Sequence, residues 1–247
     1  MLIYGLIVSC LSFYGCATMD AENINRAEAH YKLGVSYMSK GEIKDAFIEF
    51  QKTINIDPKH KEALNSLGII SARFKKYDDA ISYYNRAISL DPNYSEAMNN
   101  LGVVYLELEK WDDARRYFKM ATENPLYMTP EKAYSNMAFA YYKKGDYKSA
   151  EDAVNEALIR SPNFSFALYI SGLIHVATGD DELAIKDLNK VLGIVPDHID
   201  THWEIAHAYL RIGERDKAVE HFRFIARNAE DKKLVKEANE YIDLLSK

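Results

Sequence analysis

Residues 61–94, KEALNSLGIISARFKKYDDAISYYNRAISLDPNY, and residues 95–128, SEAMNNLGVVYLELEKWDDARRYFKMATENPLYM, align over 34 positions without a gap. Each segment has an L-G pair in its first half and an alanine in its second half, with an aromatic residue four positions after that alanine. Apolar residues recur in both halves at the spacing of one helical face. The pattern therefore predicts two helices joined by a short turn.

The same period extends along most of the chain. A small residue in an L-G or M-A context recurs at Gly34, Gly68, Gly102, Ala138, Gly172 and Ala206. The second-half alanine recurs at Ala46, Ala80, Ala114, Ala150, Ala184 and Ala218. Both series have spacings of 34, 34, 36, 34 and 34 residues, so two extra residues lie between the third and fourth repeats.

This periodicity resembles the tetratricopeptide repeat. An apolar residue follows each alanine by four, at Phe50, Tyr84, Phe118, Val154, Leu188 and Phe222. The intra-repeat turn falls on Gly41, Lys75, Glu109, Gly145, Gly179 and Gly213. We expect the small residue of the first helix to meet the alanine of the second, because close helix crossings need small side chains.

The resemblance implies an all-α fold, a right-handed superhelical solenoid of six tetratricopeptide repeats plus a C-terminal capping helix. The predicted repeats are residues 27–60, 61–94, 95–128, 131–164, 165–198 and 199–232, followed by the capping helix at 233–247. A repeat cannot bury its apolar face alone, so neighbours must stack.

Composition excludes several function classes. The net charge is −6, and basic residues are scattered, which argues against nucleic-acid binding because phosphate recognition needs clustered Lys and Arg. Both cysteines, Cys10 and Cys16, precede the repeats, so the repeats have no thiol for a disulfide or a nucleophile. We predict no enzymatic activity and no cofactor, because no phosphate-binding loop, nucleophile elbow or zinc-protease motif occurs.

The amino terminus is predicted to direct export. Residues 1–15 are uncharged and apolar, but shorter than the roughly twenty residues that a spanning helix needs, which favours a signal peptide. The junction Gly15-Cys16-Ala17 resembles the lipobox of bacterial lipoproteins, which implies lipidation of Cys16, with Cys10 as the alternative. Residues 16–26 would then form a linker, and the lipid anchor would hold the protein to the periplasmic face of the outer membrane.

In tetratricopeptide proteins the first helix of each pair lines a partner-binding groove. The same register here assigns the groove to Tyr31, Asn65, Ile69, Asn99, Val103, Leu106, Phe139, Tyr142, Phe166, Tyr169, Leu173, Val176, Trp203, His207 and Leu210. This apolar and aromatic row predicts a site for an amphipathic helix or an apolar extended segment, and the alternative is that tight winding buries part of it.

The histidines near the sixth repeat are the one cluster that resembles metal ligands. His202 and His207 are five residues apart, which places them on different faces of one helix. The register assigns His202 to packing between helices and His207 to the groove. We therefore predict no metal site.

The irregular segment after the third repeat resembles one particular family. Asn124-Pro125-Leu126-Tyr127 is followed by Thr129-Pro130 and then by Tyr134 and Asn136. This pattern is similar to that of type IV pilus biogenesis and stability lipoproteins of the PilW/PilF type. The resemblance implies a pilotin that assembles the outer-membrane secretin, with a secretin subunit or another pilus assembly protein as partner. The alternative is a general periplasmic scaffold for another envelope complex.

Overall fold

The structure is a computed structural model, and it describes residues 21–246. Within these residues the chain forms thirteen α-helices and no strand, which confirms the predicted all-α fold of six helix pairs and a final helix. The helices are α1 Ala21–Ser39, α2 Ile43–Ile56, α3 Lys61–Arg73, α4 Tyr77–Leu90, α5 Ser95–Glu107, α6 Trp111–Glu123, α7 Pro130–Lys143, α8 Tyr147–Arg160, α9 Ser165–Thr178, α10 Asp181–Ile194, α11 Ile199–Arg211, α12 Arg215–Asn228 and α13 Lys232–Leu245.

The chain divides into two compact units, residues 1–63 and 64–247. In the first unit α1 packs against α2. Residues 21–26, predicted as part of a linker, are helical in α1, because they contain no helix breaker. The predicted signal peptide, Cys10 and Cys16 lie outside the described residues.

In the second unit neighbouring helices pack against each other in chain order. The first helices of successive pairs, α5, α7, α9 and α11, also contact one another. We call the surface that they form, together with α3 from Leu64 onward, the first-helix face. Side chains from neighbouring repeats therefore meet on this face.

The alanine series is fully buried, since all six members have no solvent exposure. The small residue of the first helix and that alanine share a buried cluster in repeats four and six, as Ala138 with Ala150 and Ala206 with Ala218. A Cβ atom added at Gly102 would lie 2.5 Å from Cε1 of Phe118, and one added at Gly34 would lie 2.6 Å from the corresponding atom of Phe50. The ring four residues beyond the alanine therefore lies directly against the glycine in these two repeats.

The six predicted turn positions share one backbone conformation. Their φ angles are positive, from 56° at Glu109 to 87° at Gly179, and the set consists of Gly41, Lys75, Glu109, Gly145, Gly179 and Gly213. Only glycine adopts this left-handed region without a steric penalty. Lys75 and Glu109 therefore hold a conformation that four other repeats assign to glycine.

The two extra residues lengthen a single connection. Helices α4 and α5 are joined by residues 91–94, and α8 and α9 by 161–164, whereas α6 and α7 are joined by 124–129.

The final helix, α13, starts after Asp231, whose carboxylate accepts a hydrogen bond from the Lys233 amide at 2.8 Å. Ala238 of α13 is fully buried against the sixth pair, so this helix covers its apolar side as a cap would.

Candidate functional site

In the first unit the predicted groove residue Tyr31 is half-buried. Its ring centroid lies 4.6 Å from that of His60 and 5.8 Å from that of Phe50. Burial raises the pKa of Tyr31, and the nearby carboxylates of Glu62 and Glu28 raise it further. The imidazole of His60 lies 3.4 Å from each of these two carboxylates. Tyr31 thus belongs to a local polar cluster beside an aromatic core.

The two groove asparagines join neighbouring repeats to each other. Asn100 donates from Nδ2 to Oδ1 of Asn65 at 3.1 Å, and Asn136 donates in the same way to Asn99 at 3.1 Å. Asn65, Asn99 and the groove residue Leu173 are all buried, at 9%, 8% and 7% exposure. These three side chains therefore present little surface, and the asparagines stabilise the contact between first helices.

Ile69 and Val103 lie on an open depression of about 350 Å³ on the first-helix face. The polar side chains that line it are those of Arg73, Lys75, Tyr77, Tyr84, Asn100 and Glu107. Leu106 of the same groove list packs against the buried cluster around Phe118 and is half-buried. Repeats two and three therefore offer a shallow surface of mixed polarity.

Aromatic side chains dominate the first-helix face of repeats four and five. The Phe139 ring lies 6.0 Å from Phe166 on the next first helix and 6.4 Å from Tyr142 on its own helix. Tyr169 lies 5.2 Å from the ring of His198. These side chains are half-buried, as is Val176. The structure thus places these side chains together on one surface.

The sixth repeat continues the aromatic surface to the cap. The Trp203 ring lies 4.7 Å from His207 and 6.0 Å from Tyr241 of α13. Burial lowers the pKa of His207, and the positive charge of Arg211 lowers it further. Leu210 packs on the same cluster. A depression of about 400 Å³ lies beside it, lined by Trp203, Glu237, Glu240, Tyr241 and Leu244.

Glu204 was missed by the groove register, although it lies among these aromatic groups. Its carboxylate is half-buried, and burial raises its pKa, with Arg211 opposing the shift and Asp200 adding to it. The charges of Asp200 and Glu204 add to the effect of burial in raising the pKa of Tyr169, and Glu204 does the same to Tyr142. The signal that would have found it is its repeat position, the sixth, which is also that of Asn100 and Asn136.

The histidine cluster around His202 and the hydroxyl of Ser171 resemble metal-binding or catalytic groups, but both form hydrogen bonds with other protein groups. His202 is buried, with Nδ1 2.8 Å from Nδ1 of His221 and Nε2 2.9 Å from the Pro196 carbonyl, as expected for a packing residue. Ser171 donates its hydroxyl hydrogen to Asp187 at 2.7 Å, and Nε2 of His175 lies 3.6 Å from the same carboxylate oxygen. Among residues 21–246 no group of three or more potential ligands could hold a metal ion.

The irregular connection is anchored at Asn124. Its Oδ1 accepts from the Leu126 amide at 3.0 Å, and its Nδ2 donates to the Asn93 carbonyl at 2.9 Å and to the Ser95 hydroxyl at 3.1 Å. Asp91 makes the first type of bond in the shorter connection before α5, at 2.9 Å, but a carboxylate cannot donate the other two. An asparagine therefore ties this longer connection to the preceding one.

Tyr127 fixes the middle of the same connection. It is 7% exposed and packs with the Phe118 cluster, and burial raises its pKa, against a hydrogen bond with Thr129 that lowers it. Its neighbours Leu126 and Met128 are 82% and 83% exposed. One buried aromatic ring thus holds two apolar side chains in solvent.

The described part of the chain includes no helix that is long and apolar enough to cross a membrane. The predicted groove residues all lie in the repeats, from Tyr31 in the first unit to Leu210 in the second.

Comparison with known proteins identifies the repeats. Family models described as tetratricopeptide repeat match residues 27–60, 72–124, 131–164 and 167–198, together more than half of the chain. The Protein CTR9 homolog of Arabidopsis thaliana is 30% identical over 111 residues, which is 41% of this chain and 10% of that protein. The chain therefore corresponds to only a small part of this curated relative.

Two solved structures share the fold over most of their length. PilW, described as a widely conserved type IV pilus biogenesis factor, has a TM-score of 0.78 at 22% identity, over 85% of this chain and 97% of that one. PilF of Pseudomonas aeruginosa has a TM-score of 0.78 at 16% identity, over 89% and 99%. Together with the family models, these matches show that the chain belongs to the tetratricopeptide repeat family.

Proposed function

We propose that the chain is a protein-binding scaffold of the bacterial cell envelope that acts as a pilotin in type IV pilus biogenesis. The observation that carries this proposal is the fold match to PilW and PilF, which extends over nearly the whole of both chains. The connection at residues 124–129 supports it, because it follows the sequence pattern of that family and is held by specific contacts of Asn124 and Tyr127.

The proposed partner is a secretin subunit or another pilus assembly protein. The first-helix face supports partner binding, because contiguous exposed apolar surface is characteristic of interaction sites. Its aromatic residues, among them Phe139, Phe166 and Trp203, are half-buried and accessible in part. Lipidation of Cys16, with Cys10 as the alternative, would anchor this surface at the outer membrane.

The deciding experiment is a deletion strain in which detergent-resistant secretin multimers are measured by immunoblot. We expect the multimers to be lost and to return with the wild-type gene. Complementation with Cys16→Ala should fail, whereas Cys10→Ala serves as the matched control and should succeed. Intact secretin multimers in the deletion strain would refute the pilotin role.

The second candidate is a general periplasmic scaffold for another envelope complex. The observation in its favour is that the aromatic face covers repeats four to six, away from the connection that carries the family pattern. This candidate predicts altered septation or peptidoglycan in the deletion strain with normal pili, so the same strain separates the two.

A further inference from the structure

Two of the junctions between first helices share one positional rule. The sixth residue of one repeat faces the fifth residue of the repeat before it, as Asn100 faces Asn65 and Asn136 faces Asn99. At the last junction the same rule places Glu204 opposite Tyr169. A carboxylate therefore occupies the position that an amide fills at the second and third junctions.

Unlike those amides, the Glu204 carboxylate is not engaged by the protein. Within the described residues no hydrogen bond or ion pair involves it. Arg211, whose positive charge lowers the pKa of Glu204, instead donates three hydrogen bonds to Asp181, at 2.7, 2.9 and 3.1 Å. A half-buried carboxylate without such a partner is destabilised by loss of hydration. An incoming cation would offset that penalty.

The aromatic side chains around Glu204 suit the apolar stem of an Arg or Lys side chain. The negative charge of Glu204 contributes to raising the pKa of Tyr142 and that of Tyr169. Trp203 directly precedes Glu204 on α11. Aromatic faces attract Lys and Arg, and they pack against the methylene stems of these residues. Phe139 and Phe166 extend the apolar surface on one side.

On the other side the surface continues to the capping helix. The depression beside Trp203 is lined by Tyr241 and Leu244 and bordered by Glu237 and Glu240. Leu244 is 68% exposed. Apolar surface therefore flanks the carboxylate on both sides, and the charges at its end are again negative.

We infer that the first-helix face of repeats four to six binds a partner segment in which an Arg or Lys lies between apolar residues, with Glu204 accepting the cation. This inference rests on the proposed scaffold function and names the chemistry of the partner. Phe139, Phe166 and Trp203 contact the apolar flanks, while Tyr142 and Tyr169 contact the basic side chain. Charge complementarity selects a basic segment over an acidic one.

The test is selection of a displayed random-peptide library on the full chain, followed by affinity measurement of the enriched peptides by fluorescence polarisation. We expect enriched peptides to carry Arg or Lys beside aromatic or aliphatic residues. Glu204→Gln should weaken them by about tenfold or more, because a partly desolvated charge pair is lost. The matched control Glu151→Gln removes the same charge from an exposed position on α8 and should change nothing.

A charge exchange makes the pairing specific. Glu204→Lys should lose the selected peptides but bind versions in which their basic residue is replaced by Glu. Circular dichroism and melting temperature would verify that each variant is folded. Enriched peptides without a basic residue, no enriched peptides, or equal affinity for wild type and Glu204→Gln would each overturn the inference. None of these results depends on secretin multimers, so the pilotin proposal is judged separately by the deletion strain.

Discussion

Replacing Gly102 by alanine tests the packing that defines each helix pair. The added Cβ would lie 2.5 Å from Cε1, 2.8 Å from Cδ1 and 2.9 Å from Cζ of Phe118. Favourable carbon contacts are about 3.5–4.0 Å, so the ring must move by about 1 Å. Phe118 has no solvent exposure and is packed with Ala114, Ala121 and Tyr127, which leaves it no free space.

Two opposing effects determine the magnitude. Overpacking a buried site costs about 1–3 kcal/mol, whereas alanine in a helix interior is more stable than glycine by about 0.5–1 kcal/mol. We therefore expect Gly102→Ala to lower the free energy of unfolding by about 1–2 kcal/mol. Urea unfolding followed by circular dichroism measures the change.

A control and a compensating change sharpen this test. Gly193 lies in α10 with no atom within 4 Å of an added Cβ, so Gly193→Ala should stabilise by about 0.5–1 kcal/mol. Phe118→Val recreates the Ala138–Val154 pair of the fourth repeat, and in that background Gly102→Ala should lose most of its penalty. If Gly102→Ala stabilises the protein as much as Gly193→Ala does, the packing argument is wrong.

Three further changes test other features. Glu109→Gly should raise the free energy of unfolding by about 1 kcal/mol in urea unfolding, because it removes a side chain from a positive φ of 56°; an unchanged midpoint would contradict this. Asn124→Ala should lower it by about 1–2 kcal/mol and speed proteolysis of the connection, since the bond to Asn93 is lost; unchanged cleavage would count against the anchor. Burial lowers the pKa of His221 from 6.5 to about 4, and the charge of His202 adds to this effect. The unfolded state therefore binds the proton more readily than the folded state, so stability falls as pH drops from 6.5 towards 4. His221→Gln should flatten melting temperature against pH in that window, and an unaltered slope would refute the assignment.

Local features of the fold were predictable from residues alone. The positions of the turns, the buried alanine series and the longer connection all follow from periodicity, because each repeat must solve the same packing problem. The turns at Lys75 and Glu109 were found by register even though neither residue favours a positive φ. Here the repetition carried more information than the residue type.

The solvent exposure of the predicted groove residues was harder to predict from the sequence than the turns were. The structure places Phe139, Phe166 and Trp203 on the first-helix face, half-buried, whereas it buries Asn65 and Asn99 of the same predicted set between repeats. Whether a first-helix side chain faces solvent depends on its neighbour in the preceding repeat, and a pattern read within one repeat does not contain that neighbour.

By itself the sequence determined the order of the helices and the positions of their turns, because these depend on contacts within about 34 residues, which each repeat contains. Only the tertiary structure decided that an aromatic ring of the second helix lies directly against Gly34, Gly68 and Gly102. It alone also showed that asparagines link the second, third and fourth repeats, and that within residues 21–246 Glu204 has no hydrogen bond or ion pair. Both features depend on contacts between packed helices, because the size and hydrogen bonding of one side chain act on a residue that is distant in the chain.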